Sequence, residues 1–325
     1  MFKNNNYTVK EGIKIFNSLN ATTKKVISFY KDDPFPNYEL SDNKQTILEK
    51  GDKNTFTSNL KKFIGYNKKI LEVGSGTCQL SNYLSIGNNN QITAFDANYS
   101  SLKTGLDFAK KNEIKNVDFV CGDIFDDHFK DEYFDIILCN GVLHHTKNTF
   151  EAMKIINKAL KKNGMILIGL YNKFGRLRTF FRKYIHKILG KKYLMIFDPV
   201  LRKTDKNSIK KINAWIRDQY THPVERSHTF DEVINNFKIN NINFFNSYPR
   251  CDFFTDTEDN QEISNLFKKG KEGKKIDRIL SQIFMIFNRQ GDEGGLYIFL
   301  GQKKKLNVYF INYDFYIRYL CFLPR

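Results

Sequence analysis

The sequence predicts an α/β protein built on a doubly wound, mostly parallel sheet, and three observations carry that expectation. Between residues 69 and 171, short apolar runs alternate with longer segments of helical apolar spacing, the rhythm of parallel strands joined by crossover helices. The first run, Ile70, Leu71 and Val73, stops at a Gly-Ser-Gly turn that leads into a helix-like segment, so a buried strand hands over directly to a helix. Polar residues Glu72, Asp96, Asp123 and Asn140 stand at the ends of successive runs. In an open α/β sheet these strand ends share one edge, and ligands bind beyond it.

Taken in order, strand one is expected at 69 to 73 with its helix at 79 to 86, and strand two at 91 to 96 with its helix at 100 to 111. VDFVCGD reads as strand three, DIILCN as strand four and MILIGLY as strand five. The helix NTFEAMKIINKALKKNG between the last two is expected to end in the basic turn Lys161–Lys162 and to stop at Asn163-Gly164. Later, INFFNSY reads as strand six and GGLYIFLG as an antiparallel strand seven.

At the first turn, Gly74 and Gly76 remove side chains where the backbone turns tightly, and the following helix presents free amides to a ligand. A dinucleotide fingerprint G-x-G-x-x-G requires glycine at position 79, which is Gln79, so a nicotinamide oxidoreductase is disfavoured. What stands here is Glu72-x-Gly74-x-Gly76, with Asp96 placed 22 residues after Gly74, where a carboxylate can accept hydrogen bonds from ribose hydroxyls.

With GDIF (122 to 125), FDIILCNGVLHHT (134 to 146) and NGMILIGLYN (163 to 172), these residues resemble the class I S-adenosylmethionine-dependent methyltransferases over residues 66 to 172. The resemblance implies a Rossmann-like, doubly wound, seven-stranded sheet, mostly parallel with an antiparallel last strand, and S-adenosylmethionine as cofactor. It implies that Glu72 and the turn Gly74, Ser75, Gly76 flank the methionine part, that Asp96 takes the ribose, that Asp123 with Ile124 frames the adenine, and that Asn140 closes the methionine side. Cys78 stands where the family commonly has a third glycine, so its Cβ and sulfur must fit a tight helix–strand contact.

Three regions are expected: a helical N-terminal cap over 1 to 65, a core over 66 to 303 with helical insertions at about 172 to 229 and 248 to 293, and an aromatic C-terminal tail over 304 to 325. In the cap, Ile13, Ile15, Phe16 and Leu19, then Val26, Ile27 and Phe29, have helix-like spacing. Between them Pro34 and Pro36 hold Phe35, Asn37 and Tyr38 extended, either as a lid strip at the cofactor mouth or as an aromatic turn packing two helices.

The segment 218 to 233, DQYTHPVERSHTFDEV, is a dense polar cluster outside the cofactor edge. Thr229 and Glu232 form a T-x-x-E capping box before a helix, which leaves His222, Glu225 and His228 as candidate catalytic groups. A histidine there can remove an acceptor proton as the methyl arrives, or the loop can lock the insertion onto the core. The PFPNY and DQY-x-HP-x-E-x-x-H segments extend a weaker resemblance to bacterial methyltransferases toward residue 303.

A net charge of +17 invites a polyanionic partner, although Lys, Asn, Ile and Phe are abundant together as in AT-rich coding sequence. The charge is uneven: between Asn172 and Lys192 lie eight basic residues and no acidic one, along a segment whose apolar positions Leu177, Phe180, Phe181, Tyr184, Ile185 and Ile188 recur at helical spacing. Such a helix can lie on a membrane surface, approach anionic substrates, or pack on its own protein with a solvated lysine face. Five scattered cysteines without a C-x-x-C pair fit reduced thiols and no metal site. No secretory signal and no run of about 18 apolar residues is present, so a cytoplasmic protein without a transmembrane segment is expected.

The function expected is methyl transfer to an O, N or C atom of a small or lipid-like acceptor. An RNA or other polyanion substrate is the first alternative, against which CNGV replaces the N-P-P-[YFW] tetrad associated with base amino groups. A non-catalytic cofactor-binding scaffold is the second.

Overall fold

The computed structural model of the protein describes residues 1–30, 37–205, 209–254, 262–287 and 294–305. Pro34, Phe35 and Pro36, parts of the two insertions, and the tail from 306 lie outside the described residues.

The chain opens with a hairpin, β1 (Thr8–Lys10) and β2 (Ile13–Ile15), followed by helices α1 (Ala21–Tyr30), α2 (Lys44–Lys53) and α3 (Thr55–Ile64). The alternating core follows: β3 (Lys69–Val73), α4 (Gln79–Ser85), β4 (Gln91–Asp96), α5 (Tyr99–Lys111), β5 (Val117–Cys121), β6 (Phe134–Asn140), α6 (Thr149–Ala159) and β7 (Leu160–Tyr171). An excursion of helices, α7 (Leu177–Leu189), α8 (Lys191–Phe197), α9 (Pro199–Lys203) and α10 (Ile209–Tyr220), precedes α11 (Phe230–Ile239) and β8 (Ile242–Tyr248). Helix α12 (Lys275–Phe287) and β9 (Leu296–Lys303) complete the described chain.

The strands form one sheet in the order β1-β2-β5-β4-β3-β6-β7-β9-β8. Strands β5, β4, β3, β6 and β7 are parallel, and β9 runs antiparallel between β7 and β8. The sheet therefore has nine strands and not the seven expected, the two additions being the hairpin at the N-terminus. There the helix-like spacing misled: Glu11 and Gly12 adopt positive φ (57° and 106°), which turns the chain back, and Ile13 is fully buried as β2 pairs in parallel with β5. Only the second apolar group, Val26, Ile27 and Phe29, lies on a helix, α1. Likewise α6 ends at Ala159, short of the lysines expected to close it, because Leu160 is buried and already pairs with Phe134 of β6.

Strand side chains alternate between two apolar layers, as buried parallel strands must. Leu71, Ile137 and Ile168 join one with Phe230 and Phe237 of α11; Ile70, Ile136 and Leu167 join the other with Leu60 and Ile64 of α3. The strand order reverses between β3 and β6, so a crevice opens at their C-terminal ends.

Cys78 fits this packing without occupying the crevice. It begins α4 in the left-handed region (φ 60°), is fully buried, and joins an apolar cluster with Ala94, Leu102 and Cys121. Room for its sulfur is made on α5: a Cβ at Gly105 would stand 2.7 Å from Cys78 Cβ and 2.6 Å from the Thr77 carbonyl oxygen. Gly105→Ala, although it favours the helix intrinsically, is expected to destabilise the protein by about 1–3 kcal/mol through overpacking, measured by urea unfolding.

Candidate active site

A cavity of about 370 Å³ lies along the strand ends and is walled by β3, β4, β6, β7 and the turns after β4, β5 and β6. It spans five adjacent strands, about 19 Å at the usual interstrand spacing, which suits an elongated ligand.

Its floor is the glycine turn. Gly74 (φ 69°) and Gly76 (φ 52°) both need the left-handed region, and a Cβ on Gly74 would meet the Val142 side chain at 2.2 Å. The turn is tied to β4 by backbone bonds from Gly74 and Ser75 to the Phe95 carbonyl, at 2.8 and 3.2 Å. Asp96 closes it: one carboxylate oxygen accepts from Gly76 N–H at 2.8 Å and the other from Asn98 N–H at 2.7 Å. Each oxygen retains a further lone pair, and Asp96 lies in the cavity wall. Burial holds its carboxyl above the ordinary range, against those backbone hydrogen bonds.

Glu72, also in the wall, is nearly buried and accepts a short hydrogen bond from Ser81 Oγ on α4. Burial pushes its carboxyl up to about 7; the Ser81 bonds oppose the shift and the Asp96 charge adds to it. Asn140, at the end of β6, faces Gly169 of β7, where a Cβ would stand 1.7 Å from Asn140 Oδ1. Only glycine at 169 leaves Asn140 its position.

Of the residues singled out from the sequence, Glu72, Gly74, Ser75, Gly76, Asp96, Ile124 and Asn140 share the cavity wall. Asp123 stands behind it, fully buried. One of its oxygens accepts from Asn20 N–H at 2.9 Å and Asn20 Nδ2 at 2.7 Å, and the other accepts from Phe125 N–H at 3.1 Å. Asn20 in turn accepts from Thr23 N–H at 3.0 Å in the first turn of α1. Asp123 thereby anchors the helix whose residues Thr23, Val26, Ile27 and Tyr30 cover the cavity. The cover is thus α1, while Tyr38 of the expected lid strip stacks on Phe108 at 4.2 Å and accepts from Asn82 on α4 at 2.9 Å, outside the wall.

The polar loop divides similarly. His222 lies against His145 of the wall, ring centroids 3.7 Å apart and planes tilted by 31°. Glu225 is paired with Arg176, two bonds at 3.0 and 2.8 Å, and with Lys183 at 2.8 Å. Burial works against its charge, but those two cations outweigh it and hold the carboxyl below the ordinary range. His228 bonds through Nε2 to Thr149 Oγ1 at 2.9 Å, and that hydroxyl itself donates to the Leu143 carbonyl. Neither Glu225 nor His228 borders the cavity. Thr229 and Glu232 form the expected capping box on α11.

His145 was not singled out from the sequence. It lies on a 3₁₀ turn, Leu143–His145, directly after β6, in the motif FDIILCNGVLHHT. Its Nδ1 stands 2.6 Å from the Val224 carbonyl oxygen, which can only accept, so Nδ1 carries the proton and Nε2 is the basic nitrogen. Burial pushes its pKa down to about 4, so the ring is neutral at physiological pH. Tyr171, at the end of β7, and Tyr30 complete an aromatic end of the cavity beside it. The signal available in the sequence was the histidine pair at a strand end; its meaning depended on Val224, 79 residues away.

Among the described residues no group of three or more potential ligands is arranged to hold a metal ion, and no helix is long and apolar enough to cross a membrane. The described cysteines, Cys78, Cys121, Cys139 and Cys251, are all buried free thiols.

Comparison with known proteins agrees with this architecture. A family model for a methyltransferase domain matches residues 64–282, more than half of the chain. A ubiquinone biosynthesis O-methyltransferase of Rickettsia bellii is 28% identical over 131 residues, covering 40% of this chain and 51% of the relative. A ubiquinone/menaquinone biosynthesis C-methyltransferase of Vibrio parahaemolyticus is 29% identical over 109 residues, covering 33% and 42%. The chain thus spans about half the length, or less, of these curated relatives. The solved structure of PKMT2 from Rickettsia typhi shares the fold, with a TM-score of 0.52, 16% identity, and coverage of 77% of this chain and 53% of that one. With the family model matched over the whole alternating core, this chain belongs to the class I S-adenosylmethionine-dependent methyltransferases.

Proposed function

We propose that the protein transfers a methyl group from S-adenosylmethionine to an O, N or C atom of a small or lipid-like acceptor, with a ring hydroxyl the acceptor its site suits best. The observation that carries this reading is His145: a neutral imidazole in the cavity wall, with Nδ1 committed to Val224 and Nε2 left basic.

The cavity residues fit the cofactor. Asp96 retains acceptor capacity toward ribose hydroxyls after its two backbone bonds, Gly122 and Ile124 offer a backbone and apolar surface to a base, and the glycine turn with Glu72 and Asn140 lies along the amino-acid end. When bound, S-adenosylmethionine supplies a methyl already activated by the sulfonium, so alignment and water exclusion carry much of the rate. Helix α1, held by Asp123 through Asn20 and by Arg217, which donates to the Phe29 carbonyl and lies over the Phe29 ring at 4.9 Å, excludes water from above.

The acceptor then belongs at the end formed by Asn140, His145, Tyr171 and Tyr30. His145 Nε2 receives the proton that an acceptor hydroxyl releases, with the ring of His222 packed beside it. In this reading Glu225 and His228 are positioning groups: Glu225 holds Arg176, whose guanidinium lies 3.9 Å over the Tyr171 ring, and His228 ties its loop to α6 through Thr149. The relatives named for quinone biosynthesis support a ring-bearing acceptor.

His145→Ala is expected to lower turnover by roughly 10²–10⁴-fold with cofactor affinity unchanged, read from single-turnover rates beside calorimetric binding. Equal loss of both assigns His145 to folding or cofactor binding instead. The acidic limb of the wild-type rate profile is expected near pH 4, where His145 takes up a proton, and not near the ordinary value of 6.5.

Glu72 has a stability consequence of its own. Its carboxyl is raised from the ordinary 4.5 to about 7, so between these values the folded protein holds a proton that the unfolded chain has released. Stability of the cofactor-free protein therefore falls as pH rises from 4.5 to 7, by about 3 kcal/mol for this group. Glu72→Gln is expected to remove that decline in urea unfolding measured at pH 5 and 8 and to weaken cofactor binding; parallel pH dependence of the two proteins contradicts the assignment.

A further inference from the structure

Helix α7 turns its apolar stripe outward. Leu177, Phe180, Phe181, Tyr184 and Ile188 fall at i, i+3, i+4, i+7 and i+11, on one face of the helix. All five are exposed, Phe180 to 71% and Ile188 to 58%, whereas Thr179 on the opposite side and Ile185 on one flank are buried. Further exposed apolar side chains follow on α8, which packs against α7, namely Tyr193, Ile196 and Phe197, each about half exposed, and on α12 Phe287, whose carbonyl accepts from Arg178 at 3.3 Å. Contiguous large apolar side chains on a surface mark a place of contact.

The charge around the stripe selects the partner. From Asn172 to Phe197 the chain has no acidic residue. Arg176 and Lys183 are spent on Glu225, and Lys173 on Glu232. Lys187 and Lys192 are exposed and make no ion pair among the described residues, and Arg178 is exposed on the other flank of α7, beside Phe287. Outward aromatic and aliphatic side chains flanked by unpaired cations match the interface of an anionic bilayer, where apolar groups enter the acyl boundary and lysines meet headgroups.

We infer that α7 and α8 form a membrane-surface docking face for anionic lipid, a peripheral contact. The face adjoins the cavity: α7 begins just beyond Tyr171 of the cavity wall, and Arg176, which precedes it, stacks on that tyrosine. A docked molecule would hold that end of the cavity close to the lipid surface. The docking itself is independent of the reaction proposed above.

The test is flotation of the full-length protein with vesicles of equimolar phosphatidylglycerol and phosphatidylcholine, and with phosphatidylcholine alone, at low and high salt. The protein is expected to float with the anionic vesicles and to lose roughly tenfold or more of that binding on pure phosphatidylcholine or in roughly 1 M salt. The double variants Phe180→Ser/Phe181→Ser and Lys187→Glu/Lys192→Glu are each expected to lose binding by a similar factor with unchanged thermal unfolding. The lysines are fully surface groups, so the second variant keeps the test valid if the first does not fold. No flotation of the folded wild type, or equal flotation with both vesicle types, overturns the inference. So does an oligomer in light scattering that the phenylalanine variant disperses, since the face then belongs to a second copy of the chain.

Discussion

The hydrogen bond from Gly76 N–H to Asp96 couples the end of β4 to the turn after β3, and the rest of the site is arranged around it. For that 2.8 Å bond to form, the chain must reverse within three residues, which two left-handed glycines permit, and β3 and β4 must run in parallel register so that Val73 stands beside Phe95. The parallel register requires a crossover helix, and α4 begins at once from the same turn. A small distance constraint therefore fixes the strand order locally, the helix start and the position of a carboxylate at the cavity wall.

From that centre the wall is extended by residues whose own positions are set elsewhere. Asn140 depends on the missing side chain of Gly169, and Gly74 on the close approach of Val142. The cover depends on Asp123, which is placed at a strand end like the other acids but spends both oxygens on the protein itself. Asp96 also accepts a backbone bond on each oxygen, but it and Glu72 lie in the cavity wall, whereas Asp123 stands behind it. The same sequence position class, an acid at the end of a parallel strand, thus stands in two different surroundings in neighbouring strands.

Much of this was legible in the sequence because it is local. The β3 strand, the glycine turn and the start of α4 are contiguous, the strand alternation fixes the sheet, and the Thr229–Glu232 cap is contained within four residues. The hairpin β1–β2 was misread because Ile13, Ile15 and Phe16 fit either periodicity over so short a span, and the partner that decides, β5, is distant in sequence. The surroundings of Asp123 and His145 were illegible for the same reason: the partner of one is Asn20, 103 residues away, and that of the other is Val224. The polar loop 218 to 233 was found but its parts were not separable, since Glu225 reads as a free carboxylate until Arg176 and Lys183 are placed beside it.

Family membership, the crevice at the reversal of strand order and the residues along it converge on one central claim, that this cavity binds S-adenosylmethionine. Calorimetric titration of the full-length protein with S-adenosylmethionine and, separately, with its demethylated product tests that claim most directly. One site per chain is expected for each compound, with affinity near micromolar, about 8 kcal/mol. Absence of heat and of displacement for both compounds, in protein shown to be folded, would contradict it.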